Sequence, residues 1–446
     1  MNYFHSVRLL DNECRGCTHC IRTCPTEAIR VRNGKATIIT DRCIDCGECI
    51  RTCPNNAKIA ITEQLDEINK FKYKIAIPAP SFVSQFSRRY SIEKVLAGFL
   101  FLGFDRVLEV GFGADLVSKA LTEYLNSSGA RMPRPAISSA CPAVIRLIQV
   151  RYPGLVGNII PMQSPMEITA RYAKEAAMRE LGIPLNEIGV FFVAPCPAKV
   201  TVVKQPIGAT ESSVNGVIAI RDMVNHIKAN FDKIPPGMTT LQSASSLGLG
   251  WGRREGEIDA LKIANRLAVD GIHQVSRVLE KIENGGFQNI HFLEAQACVC
   301  GCVGGVLTSE NPFIAKLKLD IVSEQSGDGN REEFEKARSA VPKEYYFLPE
   351  KIQSRPAMSL GSDVREAMKM FQEIERIRAE LPGIDCGSCG CPTCRAFAED
   401  VVAGHMMRMD CLFDLRERVR CLAGEIFSLA KKLPHVMQDK GGTDEP

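Results

Sequence analysis

Between residues 72 and 350 the hydrophobic positions come in short blocks separated by longer amphipathic stretches. The blocks are KYKIAIPAPS (72–81), RVLEVGFGAD (106–115), RPAISSACP (134–142), GVFFVAPCP (189–197) and IHFLEAQAC (290–298). Runs of this length, rich in Val, Ile and Phe, suit strands buried on both faces. The stretches between them read as helices. Ser164-Pro165-Met166-Glu167 forms a capping box with proline at the first helical position, and the apolar spacing runs on to Leu181 and stops at Gly182. Strand alternating with helix predicts an α/β domain with a largely parallel sheet, whose sites gather at the carboxyl ends of the strands. Three of the runs deliver a cysteine there: Cys141, Cys196 and Cys298. Gly111 and Gly113 lack the third glycine of a dinucleotide loop, since Leu116 stands in its place, so a plain strand-to-helix turn is expected.

The flanks differ. Residues 1 to about 68 are dense in cysteine and poor in long apolar runs, and 363–380 is a charged helical stretch leading into a further cysteine group. These shifts divide the chain into 1–70, 71–355 and 356–446. The tail from Gln438 to Pro446 is polar and expected to be disordered. A net charge of +3 is too small to argue for nucleic acid or an anionic membrane. No run is long and apolar enough for a membrane span, and Met1 to Asn12 lacks the apolar core of a signal peptide, so a cytoplasmic location is expected.

Composition changes the picture at one residue type. The chain has 19 cysteines and only 7 histidines. In a cytosolic chain so many thiols are metal ligands or redox centres, and a thiolate donor set favours iron–sulfur or zinc. The first group is an internal repeat: Cys14-x2-Cys17-x2-Cys20-x3-Cys24-Pro25, then Cys43-x2-Cys46-x2-Cys49-x3-Cys53-Pro54. This is the bacterial two-cluster ferredoxin run, in which the fourth cysteine ligates the other cluster. Cys14, Cys17, Cys20 and Cys53 are therefore expected on one 4Fe-4S centre, and Cys43, Cys46, Cys49 and Cys24 on the second. Zinc, the alternative, usually takes paired Cys-x2-Cys elements. His19 inside the loop reads as a surface residue.

The last group is Cys386-x2-Cys389-x4-Cys394-x16-Cys411. The stretch LPGIDCGSCGCPTCRAFAEDVVAG resembles the single 4Fe-4S domain of corrinoid iron–sulfur proteins and of a family of electron-transport subunits. That resemblance implies Cys386, Cys389, Cys394 and Cys411 as ligands and Cys391 as a spare. Cys421, on the amphipathic helix that comes next, is expected to pack as a small hydrophobe. Zinc is again the alternative.

The middle group resembles the catalytic domain of the FeFe hydrogenases, whose signature loops are TSCCPxW, MPCxxKxxE and ExxxCxxGCxxGG. The chain has Ser138-Ser139-Ala140-Cys141-Pro142, Ala194-Pro195-Cys196-Pro197-Ala198-Lys199, and Glu294 through Gly305 with Cys298, Cys300 and Cys302, in family order. The resemblance covers about residues 70–350. It implies a two-lobed catalytic domain with parallel sheets, flanked by a small ferredoxin-like α+β domain and a C-terminal helical 4Fe-4S domain. It also implies that Cys141, Cys196, Cys298 and Cys302 hold the cubane of an H-cluster, with Cys302 bridging to a diiron subsite carrying carbon monoxide and cyanide. Lys199 would donate to a cyanide, and Pro80, Ser81, Ala140 and Gln296 would line the pocket.

The departures matter as much. The proton-delivering cysteine of the first loop is Ala140, and the glutamates of the family's proton path fall near Leu121 and Tyr124, with Glu123 one residue out of register. The methionines of the second and third loops are Ala194 and Gln296, the glutamate after the lysine is Val202, and Cys300 is an additional thiol. Loss of a positioned acid–base group costs on the order of a hundredfold in turnover. The pattern resembles the sensory-type subfamily, which implies slow hydrogen oxidation or proton reduction with electron transfer through several clusters. Cys300 and Glu123 are candidate substitute relays. The competing reading is a non-catalytic electron-transfer subunit holding only 4Fe-4S clusters. Implied partners are hydrogen or protons and a redox protein, either a ferredoxin or subunits of a hydrogenase complex, with pairing of two chains allowed for.

Overall fold

The computed structural model describes residues 3–87, 89–128, 132–238, 240, 242–355, 357, 360 and 363–432. The tail from Gln438 to Pro446 lies outside the described residues. The chain divides into two compact units. One comprises Met1–Arg15, Thr23–Ala28 and Ile38–Met358, and the other Gly16–Arg22, Ile29–Thr37 and Ser359–Pro446.

In the first unit the elements that carry the site are, along the chain, β1 (Tyr73–Pro78), β2 (Arg106–Val107), α1 (Val110–Ser128), β3 (Ala136–Ile137), α2 (Pro142–Arg151), α3 (Pro165–Leu181), β4 (Ile188–Ala194), α4 (Pro197–Lys204), β5 (Gly216–Ala219), α5 (Gly256–Leu261), β6 (Arg266–Asp270) and β7 (Phe292–Gln296). They form two sheets, β2-β1-β4-β5 and β6-β7-β3, parallel throughout. Every residue of β4 is buried, which explains its unbroken apolar run. All five predicted runs contain a strand. Sequence patterning passed over β5, which is only four residues long, and β6, which carries Arg266 and Asp270 at its ends.

The 106–115 run needs correction. Its strand ends at Val107 and α1 begins at Val110, so Gly111 and Gly113 lie in the first helical turn, not in the turn before it. Close packing explains Gly113: a Cβ there would stand 2.1 Å from Thr169 Oγ1 and 2.4 Å from the Pro165 carbonyl oxygen. The α3 boundaries hold as read: Ser164 Oγ accepts from the Glu167 amide at 3.4 Å, and Gly182 closes the helix with φ +65°. The capping box is only half made, because the Glu167 carboxyl accepts instead from Ser212 Oγ at 2.5 Å and the Ser213 amide at 2.9 Å. One hydrophobic core packs α1 and α3 on the first sheet, with Phe112, Ala173, Phe191 and Val193 buried, and a second core joins Ile137, Leu147, Ile148 and Leu293. Within this unit Val7–Leu9 pairs antiparallel with Lys58–Ala60.

The second unit contains the paired strands Ile29–Arg32 and Lys35–Ile38 (all but its last residue) and the helices α6 (Val364–Glu380), α7 (Cys394–Val402) and α8 (Leu412–Ala430). Ile374, Ile377, Phe397 and Cys391 form its core. Asp400 accepts from Arg30 Nε at 2.8 Å and from Arg32 Nη2 at 2.5 Å, and the Arg30 guanidinium is buried. Pairing is what makes such burial tolerable. The Val31 amide donates to the Gly390 carbonyl at 2.8 Å, and a Cβ on Gly390 would meet the Val31 oxygen at 2.1 Å.

Candidate metal centre

The first-loop, second-loop and third-loop cysteines meet. Cys141 follows β3 and caps α2, Cys196 follows β4 and caps α4, and Cys298 and Cys302 follow β7. Proline at the first position of α2 and of α4 starts each helix directly after its cysteine. The thiols of Cys196, Cys298 and Cys302 each feel the charge of other cysteines of the set. Burial, then the charges of Cys196, Cys302 and Cys141, pushes Cys298 well up, and burial with Cys141 pushes Cys196 to about 11. Cys302 is pushed to about 12 by burial, then by Cys196 and Cys141. Four thiols gathered at one place, three of them pushed toward the protonated form against the charge of Lys199 on Cys196 and Cys302, are a set for a cationic metal centre, which supplies the charge that makes them thiolates.

They border a cleft with about 900 Å³ of space unfilled by protein, also lined by Pro80, Ala140, Lys199, Glu257 and Gln296. Lys199 Nζ donates to the Ala140 carbonyl at 3.3 Å. Gln296 Oε1 and Ser81 Oγ are buried without a hydrogen-bond partner, which is costly in a protein interior and fits a wall built against something else. Ser81 is fully buried, and its carbonyl accepts from Ser84 Oγ at 2.7 Å. Cys300 is not brought to the cleft. Its backbone turns through φ +64°, its amide donates to Asp270 Oδ2 at 2.7 Å, and it packs with Val83, Leu249 and Leu319. The structure therefore gives no support for Cys300 as a relay. Glu123 is exposed on α1 while Leu121 is buried, so Glu123 faces away from the cleft as well.

Sequence reasoning missed an acid pair. Glu257 is buried on α5 and accepts from Ser138 Oγ at 2.6 Å. Burial, then the charge of Glu294, pushes its carboxyl up to about 8. Glu294, on β7, is raised to about 7 by burial despite accepting from the amides of Glu255 at 2.8 Å and Ile258 at 3.0 Å. Glu294 stood in the third-loop motif without a role. Glu257 sits in the charged stretch RREGEID, which reads as solvated surface, and no local pattern distinguishes it.

Three family models match the chain. "Iron only hydrogenase large subunit, C-terminal domain" covers residues 72–266, a "4Fe-4S dicluster domain" covers 6–54, and an Fe-S cluster domain covers 381–413. The chain is an FeFe-hydrogenase-like iron–sulfur protein. The NADP-reducing hydrogenase subunit HndD of Solidesulfovibrio fructosivorans is 25% identical over 352 residues, covering 67% of this chain and 56% of that one. Iron hydrogenase 1 of Clostridium pasteurianum is 24% identical, covering 46% and 43% respectively. The chain thus spans about half the length of these curated relatives. An FeFe-hydrogenase structure from Chlamydomonas reinhardtii superposes with a TM-score of 0.51 at 17% identity, covering 66% of this chain and 98% of that one, which shows a shared fold.

The remaining cysteines of this FeFe-hydrogenase-like protein fall into two further kinds of site. Cys24, the last of the first ferredoxin run, sits among Cys43, Cys46 and Cys49: the thiols of Cys43 and Cys46 each feel the charge of both Cys24 and Cys49. Amides support these sulfurs, Ala28 donating to Cys24 Sγ at 3.2 Å and, in the matching position of the repeat, Ala57 to Cys53 Sγ at 3.3 Å. Cys46 also lines the large cleft, and Arg51 Nη2 donates to the Gly304 carbonyl at 2.7 Å, fastening this ferredoxin loop to the third signature loop. Cys14 and Cys53 belong to the first unit, Cys17 and Cys20 to the second, where His19 is exposed. In the second unit Cys386, Cys389, Cys391, Cys394 and Cys411 line a small cavity. Cys391 is buried and donates to Asp400 Oδ2 at 3.4 Å. Its hydrogen bond to Cys389 lowers that thiol to about 6 and raises its own. Cys421 is exposed, not packed as a small hydrophobe: the helix that carries it buries no residue. Among the described residues no helix is long and apolar enough to cross a membrane.

Proposed function

We propose that the chain is a slow, sensory-type hydrogenase that interconverts hydrogen with protons and electrons and passes the electrons along its 4Fe-4S clusters. The single observation that carries this reading is the convergence of Cys141, Cys196, Cys298 and Cys302 on a cleft that also presents Lys199. Those four thiols would hold a cubane, and Cys302 and Lys199 would stand toward a diiron subsite. When bound, such a subsite supplies the redox and Lewis-acid chemistry that splits hydrogen heterolytically.

The chain's own residues set the surroundings of that chemistry. Lys199, held against the Ala140 carbonyl, offers N–H donors to an anionic ligand in the cleft. Pro80 and Gln296 line the pocket, and Ser81, fully buried, stands next to Pro80 in the chain. Ala140 carries no proton, so acid–base work falls to Glu257. Its raised carboxyl keeps a proton near neutral pH and exchanges it readily, and Ser138 and Glu294 stand beside it. Electrons leave through the cluster of Cys24, Cys43, Cys46 and Cys49, because Cys46 borders the same cleft. The sequence repeat assigns Cys14, Cys17, Cys20 and Cys53 to the second ferredoxin cluster. Cys386, Cys389, Cys394 and Cys411 hold a fourth, with Cys391 protonated beside it. One matched relative is by name a subunit of an NADP-reducing hydrogenase, which supports a redox protein as partner.

Ala140 also favours a second reading, an electron-transfer subunit that holds cubanes alone. Infrared spectroscopy of the anaerobic protein, loaded with the diiron cofactor, separates the two. Carbonyl and cyanide bands that shift when argon is replaced by hydrogen are expected for the hydrogenase. Full cubane loading with no such bands would establish the electron-transfer subunit.

A further inference from the structure

Helix α8 presents Leu412, Leu415, Val419, Leu422, Ile426 and Leu429, spaced alternately three and four residues apart. This is the a/d seam of a coiled coil. All six are between 43% and 66% exposed, and none of the helix's 19 residues is buried. A helix draws most of its stability from packing its apolar face, and a contiguous exposed stripe of this kind marks an interaction surface.

The seam is self-complementary. Laid antiparallel on a second copy about a two-fold axis between Arg420 and Cys421, Leu412 meets the partner's Leu429, Leu415 meets the partner's Ile426, and Val419 meets the partner's Leu422. No seam residue is left over. The same alignment sets Arg418 opposite the partner's Glu425, once on each side of the axis. A parallel alignment would instead place Arg418 and Glu425 opposite alanines, at 423 and 430, and form no charged pair. Flanking charges of this sort choose partner and direction in coiled coils, and a two-fold interface uses the same patch on both copies. We infer that α8 is a dimerisation helix that pairs antiparallel with α8 of a second copy of this chain. This pairing is independent of the reaction assigned above.

The test is the mass of the full-length, iron-loaded protein under anaerobic conditions with excess thiol reductant, by sedimentation from micromolar to near-millimolar concentration. Two chains are expected for the unaltered protein and one for Leu422→Asp. Arg418→Glu places like charges together twice and is expected to weaken pairing by about tenfold, while Arg418→Glu combined with Glu425→Arg restores it. Visible absorbance of the clusters is expected to be the same in every variant, because Arg418, Leu422 and Glu425 are not among the residues lining the cavity of the C-terminal cysteines. A single-chain mass at every concentration, pairing that survives Leu422→Asp, or pairing indifferent to Arg418→Glu would each overturn the inference.

Discussion

Ser138 Oγ donates to Glu257 Oε2 at 2.6 Å, two residues before Ala140 in the first loop. The first loop thus reaches an acid on α5 through a serine. A carboxyl at about 8, kept high by burial and by Glu294, is matched to proton exchange near neutral pH. Glu257→Gln keeps the shape and removes the titration. It is expected to slow hydrogen–deuterium exchange and hydrogen oxidation by at least about tenfold, with iron content unchanged. Ser138→Ala, which removes only the hydrogen bond, is expected to have a smaller effect in the same mass-spectrometric assay. Equal exchange rates in Glu257→Gln and the unaltered protein would remove Glu257 from the path.

The same pair sets a pH dependence of stability. Both carboxyls hold their protons more tightly folded than unfolded, since their ordinary value is 4.5 and burial raises them to about 8 and about 7. Their contribution is therefore fully present below about 4.5 and is lost as pH rises through about 7 to 8. The melting temperature is expected to fall over that interval and to fall less in Glu257→Gln. Parallel melting curves for the two proteins across pH 5 to about 9 would show that Glu257 does not titrate there.

The metal chemistry was legible because ligand geometry is written in local spacing. Three cysteines within seven residues can wrap a cubane wherever the chain goes, and a cysteine after a buried strand is delivered to the strand's end. What escaped was non-local. Glu257 becomes an acid of the cleft only because Glu294 of β7 takes the amides of Glu255 and Ile258 at the start of α5, and nothing within several residues of Glu257 records that. Cys300 reads in the sequence as an additional thiol and a candidate relay, yet a left-handed turn at its own position sends it into a separate apolar cluster. Gly113 looked like a turn residue, and the approach of Thr169 from α3 is what demands it. Cys421 looked like a packing residue because helix periodicity cannot say whether a stripe has anything to pack against.

The ferredoxin crossover has a direct test. Cys24 lies with Cys43, Cys46 and Cys49, although in sequence it closes the other run. Cys24→Ala is expected to damage the cluster nearest the cleft, with loss of up to about four irons per chain and slower reduction by hydrogen. Cys300→Ala is expected to leave iron content and turnover as they were. Iron loss in Cys300→Ala, measured beside Cys24→Ala, would show that the extra thiol is a ligand after all.

Lys199 separates the diiron subsite from the cubane. Its Nζ reaches the Ala140 carbonyl at 3.3 Å, and it is the lysine among the residues lining the cleft. It is not itself a thiol ligand and its amide, which supports Cys196, survives truncation, so Lys199→Ala is expected to keep the cubane iron and the cubane's electron paramagnetic resonance signal. An anionic ligand in the cleft would lose a charge-assisted hydrogen bond, worth about 1.5–3 kcal/mol, or roughly ten- to a hundredfold in retention of the group that bears it. Infrared carbonyl and cyanide bands are therefore expected to fall by about tenfold or more after identical loading. Lys199→Arg keeps the charge but replaces a compact ammonium by a planar fork, and is expected to retain part of the intensity with shifted cyanide bands. Unchanged cyanide frequencies and full intensity in both variants would mean that Lys199 makes no contact with the subsite.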